Sequence, residues 1–190
     1  MIALLAASLI MTNAPAAEIV RSCRAMIPAN VELSGRIVLR SRRGISMAEY
    51  GYTLKRRNGV TDLAVTADGK TVEFPKEGNL LKTDVTWSDI TLDYLWWEKF
   101  AFDREREMES VHGQKCMVLL LMKGERTVRV WVDRKTGALM QAEELKDGKA
   151  VRRLWGTRIK KFGDRWVPNV MEVETLGSGH RTKITVEEVK

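Results

Sequence analysis

The sequence has 190 residues, 44% of them hydrophobic and 30% charged, and a net charge of +7. That length supports one domain with a substantial core, and the composition excludes a disordered or fibrous chain. The basic balance admits nucleic acid, an anionic membrane or an acidic protein as partner and does not choose among them.

Ile2 to Met11 is a short apolar run, broken by Thr12 and Asn13 and followed by Ala14-Pro15-Ala16. The small residues fit an A-x-A signal-peptidase site cutting before Ala17. The run is too short to span a bilayer, which takes about 20 residues. No Lys or Arg precedes it, so the positive n-region is reduced to the amino terminus. The expectation is a signal peptide over residues 1–16 and one exported domain over 17–190. Cys23 lies too far along for a lipid anchor. In an oxidising compartment Cys23 and Cys116 become a disulfide candidate closing a long loop; two buried free thiols are the alternative.

Ala17–Ile27 is helical in pattern, with Ile19, Val20, Cys23, Met26 and Ile27 on one stripe and Pro28 as the stop. Strand signals then run from Val31, through turns at Gly44, Asn58-Gly59 and Asp68-Gly69. Turn signals every 8–12 residues or so suggest a sandwich or barrel rather than alternating strands and helices. Thr86–Phe100 breaks the rhythm: Ser88 or Asp89 can cap a short helix that is apolar nearly all round. It reads as a core helix or as a lid over a cavity. Ala101–Gln114 is charged and reads as a solvated strand or loop. Cys116–Met122 is apolar on both faces and must be covered on both sides.

The clearest segment is Arg126–Leu145, a β-hairpin. Val128, Val130 and Val132 alternate with Thr127, Arg129 and Trp131, the period of a strand with one buried face. Asp133-Arg134-Lys135-Thr136-Gly137 supplies the loop, and the return strand places Ala138, Met140 and Ala142 together. Asp147-Gly148 turns the chain again, and strands continue to Val189, with Pro168 fitting an edge position or strand start.

Residue chemistry points away from catalysis. His112 and His180 both sit beside glycines in turns, and no zinc, P-loop, Rossmann or nucleophile-elbow motif appears. Glu143-Glu144 and Glu187-Glu188 are strand neighbours whose side chains point to opposite faces. No metal or cofactor is expected. Cations gather at Arg36, Arg40, Arg42, Arg43, Lys55, Arg56 and Arg57, and again across Lys146–Arg165. Export argues against nucleic acid; an anionic membrane surface, an acidic partner or a solvated face remain open. Six tryptophans and nine methionines suit a cavity of soft walls for acyl chains as well as a packed core.

The run V-W-V-D-x-x-T-G-x-L-x-x-A-E-E with its following D-G-K, the later G-D-R-W-V-P-N-V-M-E-V, and Trp87-Ser88-Asp89 ahead of the inserted helix resemble the outer-membrane lipoprotein-sorting proteins, the LolA-like group. The resemblance implies a mainly β fold with short helices: an open or half-closed antiparallel β-barrel with helices covering its concave face. It implies a non-catalytic, monomeric periplasmic carrier that holds lipoprotein acyl chains, taking cargo from an inner-membrane ABC transporter and passing it to an outer-membrane acceptor. The alternative on this fold is an envelope lipid or lipoprotein sensor of the stress-sensing type. Carriers of the group hold the helical lid closed with an arginine on an early strand, and Arg36, Arg40, Arg42 and Arg43 compete for that role. The expected cavity residues are Val128, Val130, Val132, Met140 and Ala142 from the sheet, with Leu92, Leu95 and Trp96 from the lid.

Overall fold

A computed structural model describes residues 15–80, 83–163 and 165–190. Residues 1–14 of the expected signal peptide lie outside the described residues, as does Asp164 of the late turn. The chain forms two compact units, one of residues 15–27 with Asp93–Ala150, the other of Pro28–Leu92 with Val151–Lys190. Each is assembled from segments distant in sequence, so no single cut in the chain separates them.

In the first unit, α1 (residues 15–25) precedes β5 (Lys99–Phe102), β6 (Met108–Val111), β7 (Gln114–Lys123), β8 (Arg126–Asp133) and β9 (Leu139–Lys146). The antiparallel order is β9-β8-β7-β5, with β6 also pairing β7. Directly opposite residues share a face. Leu119 opposes Val130 and Leu121 opposes Val128, so the valines and leucines form one face. Arg126 lies two residues before Val128 on that same face, and its guanidinium sits 5.1 Å from the centre of the Trp97 ring. Arg24 of α1 donates from Nε to Leu95 O (2.6 Å) and from Nη2 to Trp97 O (3.2 Å). The helix and the 3₁₀ turn Asp93–Trp96 are thereby tied together, and that turn packs on β7.

β8 buries both faces, not the single face its alternation suggests. On the second face Arg129 pairs with Asp103 (2.7 Å) and Glu143 (3.5 Å), all three buried. Trp131 packs with Val111, Cys116 and Val118 and donates from Nε1 to Glu109 (2.8 Å). Ala101–Gln114 is therefore not simply a solvated stretch: it supplies Asp103 and Val111 to this interior. The reason is pairing. β5 and β6 run along successive parts of β7, and the charged residues between them carry Asp103 to Arg129.

The second unit is a run of antiparallel strands in the order β4-β3-β2-β1-β12-β11-β10. These are β1 (Val31–Arg40), β2 (Ser46–Arg57), β3 (Val60–Ala67), β4 (Lys70–Val72), β10 (Lys149–Phe162), β11 (Arg165–Thr175) and β12 (Arg181–Val189). The Asn58-Gly59, Asp68-Gly69 and Asp147-Gly148 turns all have paired positive φ, as their sequences require. Gly35, at a bulge in β1, is needed for a different reason. A Cβ there would collide with the carbonyl oxygen of Thr185 and crowd Tyr52. Pro168 lies beyond the Val170–Val173 stretch of β11 that pairs with β12, so its missing N–H interrupts no bond on that side. Among the described residues β4 pairs only β3, and β5 and β6 pair only β7. Neither run closes on itself, and the fold is an open, mainly antiparallel sheet with few short helices.

The expected helix over Thr86–Phe100 is two pieces. α2 (Trp87–Thr91) ends where Leu92 takes φ 54° and donates its N–H to Ser88 O (2.9 Å). The 3₁₀ turn follows. A left-handed residue closes the last carbonyls of a helix and redirects the chain, and apolar periodicity carries no sign of it. Cys23 and Cys116 are free thiols rather than a disulfide. Cys116 is held in the Trp131 cluster, where its Sγ lies 3.5 Å from Gln114 O, whereas Cys23 lies on the buried stripe of α1.

Candidate functional site

The site is the short helix α2 and the apolar sheet face of the second unit. On β2, Tyr52, Leu54 and Arg56 share one face by the period of two, and all three are buried. Register adds Val65 opposite Tyr52, Leu63 opposite Leu54 and Val31 opposite Arg56. An arginine thus ends a row of aromatic and aliphatic side chains. Its Nη2 donates to Thr91 O (2.6 Å), the last residue of α2, and its Nε donates to the Thr61 hydroxyl (3.2 Å). Burial pulls the Arg56 guanidinium below its usual pKa.

The other end of α2 is also held. Asp89 accepts from the Thr86 N–H (2.6 Å) and hydroxyl (2.9 Å), the half of a capping box that reaches back to the N-cap. Arg152 of β10 pairs with the Asp89 carboxylate and donates to Asp84 O (2.6 Å) and the Thr86 hydroxyl (3.3 Å). Trp87 meets Phe74 edge-on, ring centres 6.0 Å apart, and Ile90 is buried. A five-residue helix has too few internal bonds to stand alone. What fixes α2 is a guanidinium at each end and apolar contact between.

The residues expected to line a cavity are divided by the structure. Val128, Val130, Val132 and Ala142 do share a face, since Ala142 opposes Val130. None is more than 4% exposed, so that face is packed. Met140 does not join them. A bulge between Trp131 and Val132 breaks the alternation of β9, and Met140 packs against the Trp131 cluster instead. Of the expected lid residues, Leu95 is buried in the first unit, Leu92 is the half-buried residue that ends α2, and Trp96 is 44% exposed. Arg36 forms exposed bridges to Glu49 (3.3 Å) and Glu187 (2.5 Å) and holds no helix. Arg40, Arg42 and Arg43 are exposed at the far end of β1. In the sequence Arg56 is one of the seven cations clustered between Arg36 and Arg57. Its parity with Tyr52 and Leu54 is the signal that marks it as inward-facing. No group of three His, Cys, Asp or Glu able to hold a metal occurs among the described residues.

A family model described as "-like: Uncharacterized protein" matches residues 67–190, more than half of the chain. The chain belongs to this family. No curated protein matches it. Solved structures identify the fold. A LolA superfamily protein from Nitrosomonas europaea superposes with a TM-score of 0.67 at 15% identity, covering 91% of each chain. A DUF1329 family protein from Desulfovibrio piger gives 0.66 at 14% identity, over 91% of this chain and 90% of that one. A putative outer membrane lipoprotein-sorting protein domain from Vibrio parahaemolyticus gives 0.64 at 15% identity, with the same coverage. The likeness spans both units, and at these identities it speaks for the fold.

Proposed function

We propose that this LolA-like chain is a non-catalytic periplasmic carrier for acylated cargo, with outer-membrane lipoproteins as the cargo class. The observation that carries this reading is Arg56. A buried guanidinium bonded to the carbonyl at the end of a short helix has the form of the arginine latch that the family resemblance implies. In this reading α2 is the element that moves, and the apolar face of Tyr52, Leu54, Leu63 and Val65 beside Arg56 takes the acyl chains, each methylene contributing about 0.8 kcal/mol on burial. The packed valine wall of the first unit serves better as core than as the binding surface. Donor and acceptor partners follow the group's pattern, an inner-membrane ABC transporter and an outer-membrane acceptor. Titratable groups have no catalytic task in this scheme: the arginines position α2, and the apolar face does the binding.

The test is native mass spectrometry of protein purified from an envelope fraction, with an Arg56→Leu variant beside it. The wild-type protein is expected to carry acyl species. The variant, its latch gone, is expected to bind a fluorescent fatty-acid probe at least several-fold better. Absence of acyl species from both proteins, with no probe binding by either, would overturn the reading.

A further inference from the structure

At one end of the second unit the β1–β2 connection and the β11–β12 connection lie side by side. Register places Arg40 opposite both Ser46 and Arg181. Two cations directly opposite each other on neighbouring strands repel. Between the connections is a cleft of about 510 Å³, lined by Arg40, Arg42, His180, Arg181, Lys183 and Leu176 among others. Its acids are already engaged. Glu172 takes Arg181 (3.1 Å), and Glu174 takes Arg181 (3.4 Å) and Arg153 (3.8 Å). Arg40, Arg42 and Lys183 form no ion pair among the described residues. The cleft therefore carries positive charge in excess of its own carboxylates, enough to hold an anion.

The rim adds a second chemistry. Ile45 is 62% exposed, Met47 56% and Leu176 36%. Ile45 closes the connection that carries Arg42 and Arg43, and Met47 is the second residue of β2 that follows it. Cations that reach phosphate beside single apolar side chains that reach the acyl boundary make up an interfacial docking surface. An acidic protein would satisfy the cations and leave the scattered apolar side chains in water.

We propose that this end of the second unit docks on an anionic lipid bilayer. Headgroup phosphates enter the cleft at Arg40, Arg42 and Lys183, while Ile45, Met47 and Leu176 dip into the headgroup layer. The surface is separate from the α2 site and needs no bound cargo.

The experiment is co-sedimentation of the full chain with vesicles of phosphatidylethanolamine and phosphatidylglycerol, against vesicles of phosphatidylcholine alone. Binding is expected only to the anionic vesicles and is expected to fall as salt rises. Arg40→Ala with Arg42→Ala should weaken it more than tenfold, at roughly fivefold per charge removed. Ile45→Ser with Met47→Ser should weaken it several-fold at every salt concentration. The Arg40→Ala, Arg42→Ala protein keeps the bond from Arg56 to α2 and should bind the fatty-acid probe as wild type does, so failure here is separable from failure of the carrier reading. Equal binding to both vesicle types, or none, would overturn the proposal. So would full competition by inorganic phosphate with the serine variant unaffected, since that identifies a site for free anions.

Discussion

Asp133 shows how one side chain holds the tip of a hairpin. Its carboxylate accepts from the Thr136 hydroxyl and from the N–H groups of Thr136 (3.1 Å) and Lys135 (3.4 Å). The Thr136 hydroxyl is the main cause that draws its pKa below the usual 3.8, with those N–H groups adding to it against the opposing effect of burial. A carboxyl depressed on folding stabilises the fold fully above its unfolded pKa, and that contribution disappears as pH falls through the folded one. Asp133→Asn is therefore expected to flatten the dependence of melting temperature on pH below about pH 4. Parallel curves for the two proteins would remove Asp133 from the acid response. This tip was legible in the sequence because Asp, Thr and Gly at those spacings have local jobs. Gly137 takes φ 78°, where the loop calls for it, and a Cβ there would also strike Ser22 of α1.

Single elements were legible in proportion to how local their causes are. Strand turns at Asn58-Gly59 and Asp147-Gly148 depend on two residues and stand where the sequence puts them. The second buried face of β8 depends on Asp103, 26 residues away, and on Glu143 across the hairpin, and alternation cannot reveal either. The bulge that turns Met140 away from the valines is likewise set by pairing rather than by composition. Arg129 is the residue on which that second face depends. Removing one partner of a buried ion group leaves uncompensated charge in the interior, at a cost of about 3–5 kcal/mol. Arg129→Met strands both Asp103 and Glu143, so its unfolding free energy from urea denaturation is expected to fall by an amount in that range. Co-replacement of both acids by their amides should recover much of the loss. An Arg129→Met protein as stable as the wild type would show that the ion group contributes little.

At the scale of the whole chain, the sequence pattern supplied the class of fold and most strands, whereas the division into two units escaped it, since each unit draws on segments far apart. The cysteines offer a reporter for one of them. Both thiols belong to the first unit and both are buried. Burial pushes the Cys23 thiol up to about 11 and raises that of Cys116 as well. Little thiolate exists at neutral pH in such surroundings, and the thiolate is the form that reacts. A maleimide added without reductant is expected to label neither residue in the native protein and both once denaturant opens the first unit. A protein that stays unlabelled when fully unfolded would mean a disulfide, against the free thiols described.

The way Arg56 holds α2 also bears on which substitutions that helix can absorb. The acceptor at position 91 is main-chain carbonyl, present whatever side chain stands there. Residue 91 can thus change its chemistry, within the limits of burial, and keep the bond. Position 56 has no such freedom, because a lysine brings a point charge where a planar fork spans the Thr61 hydroxyl and the helix end. Freedom at position 91 of α2 and strictness at position 56 of β2 are two sides of the same contact.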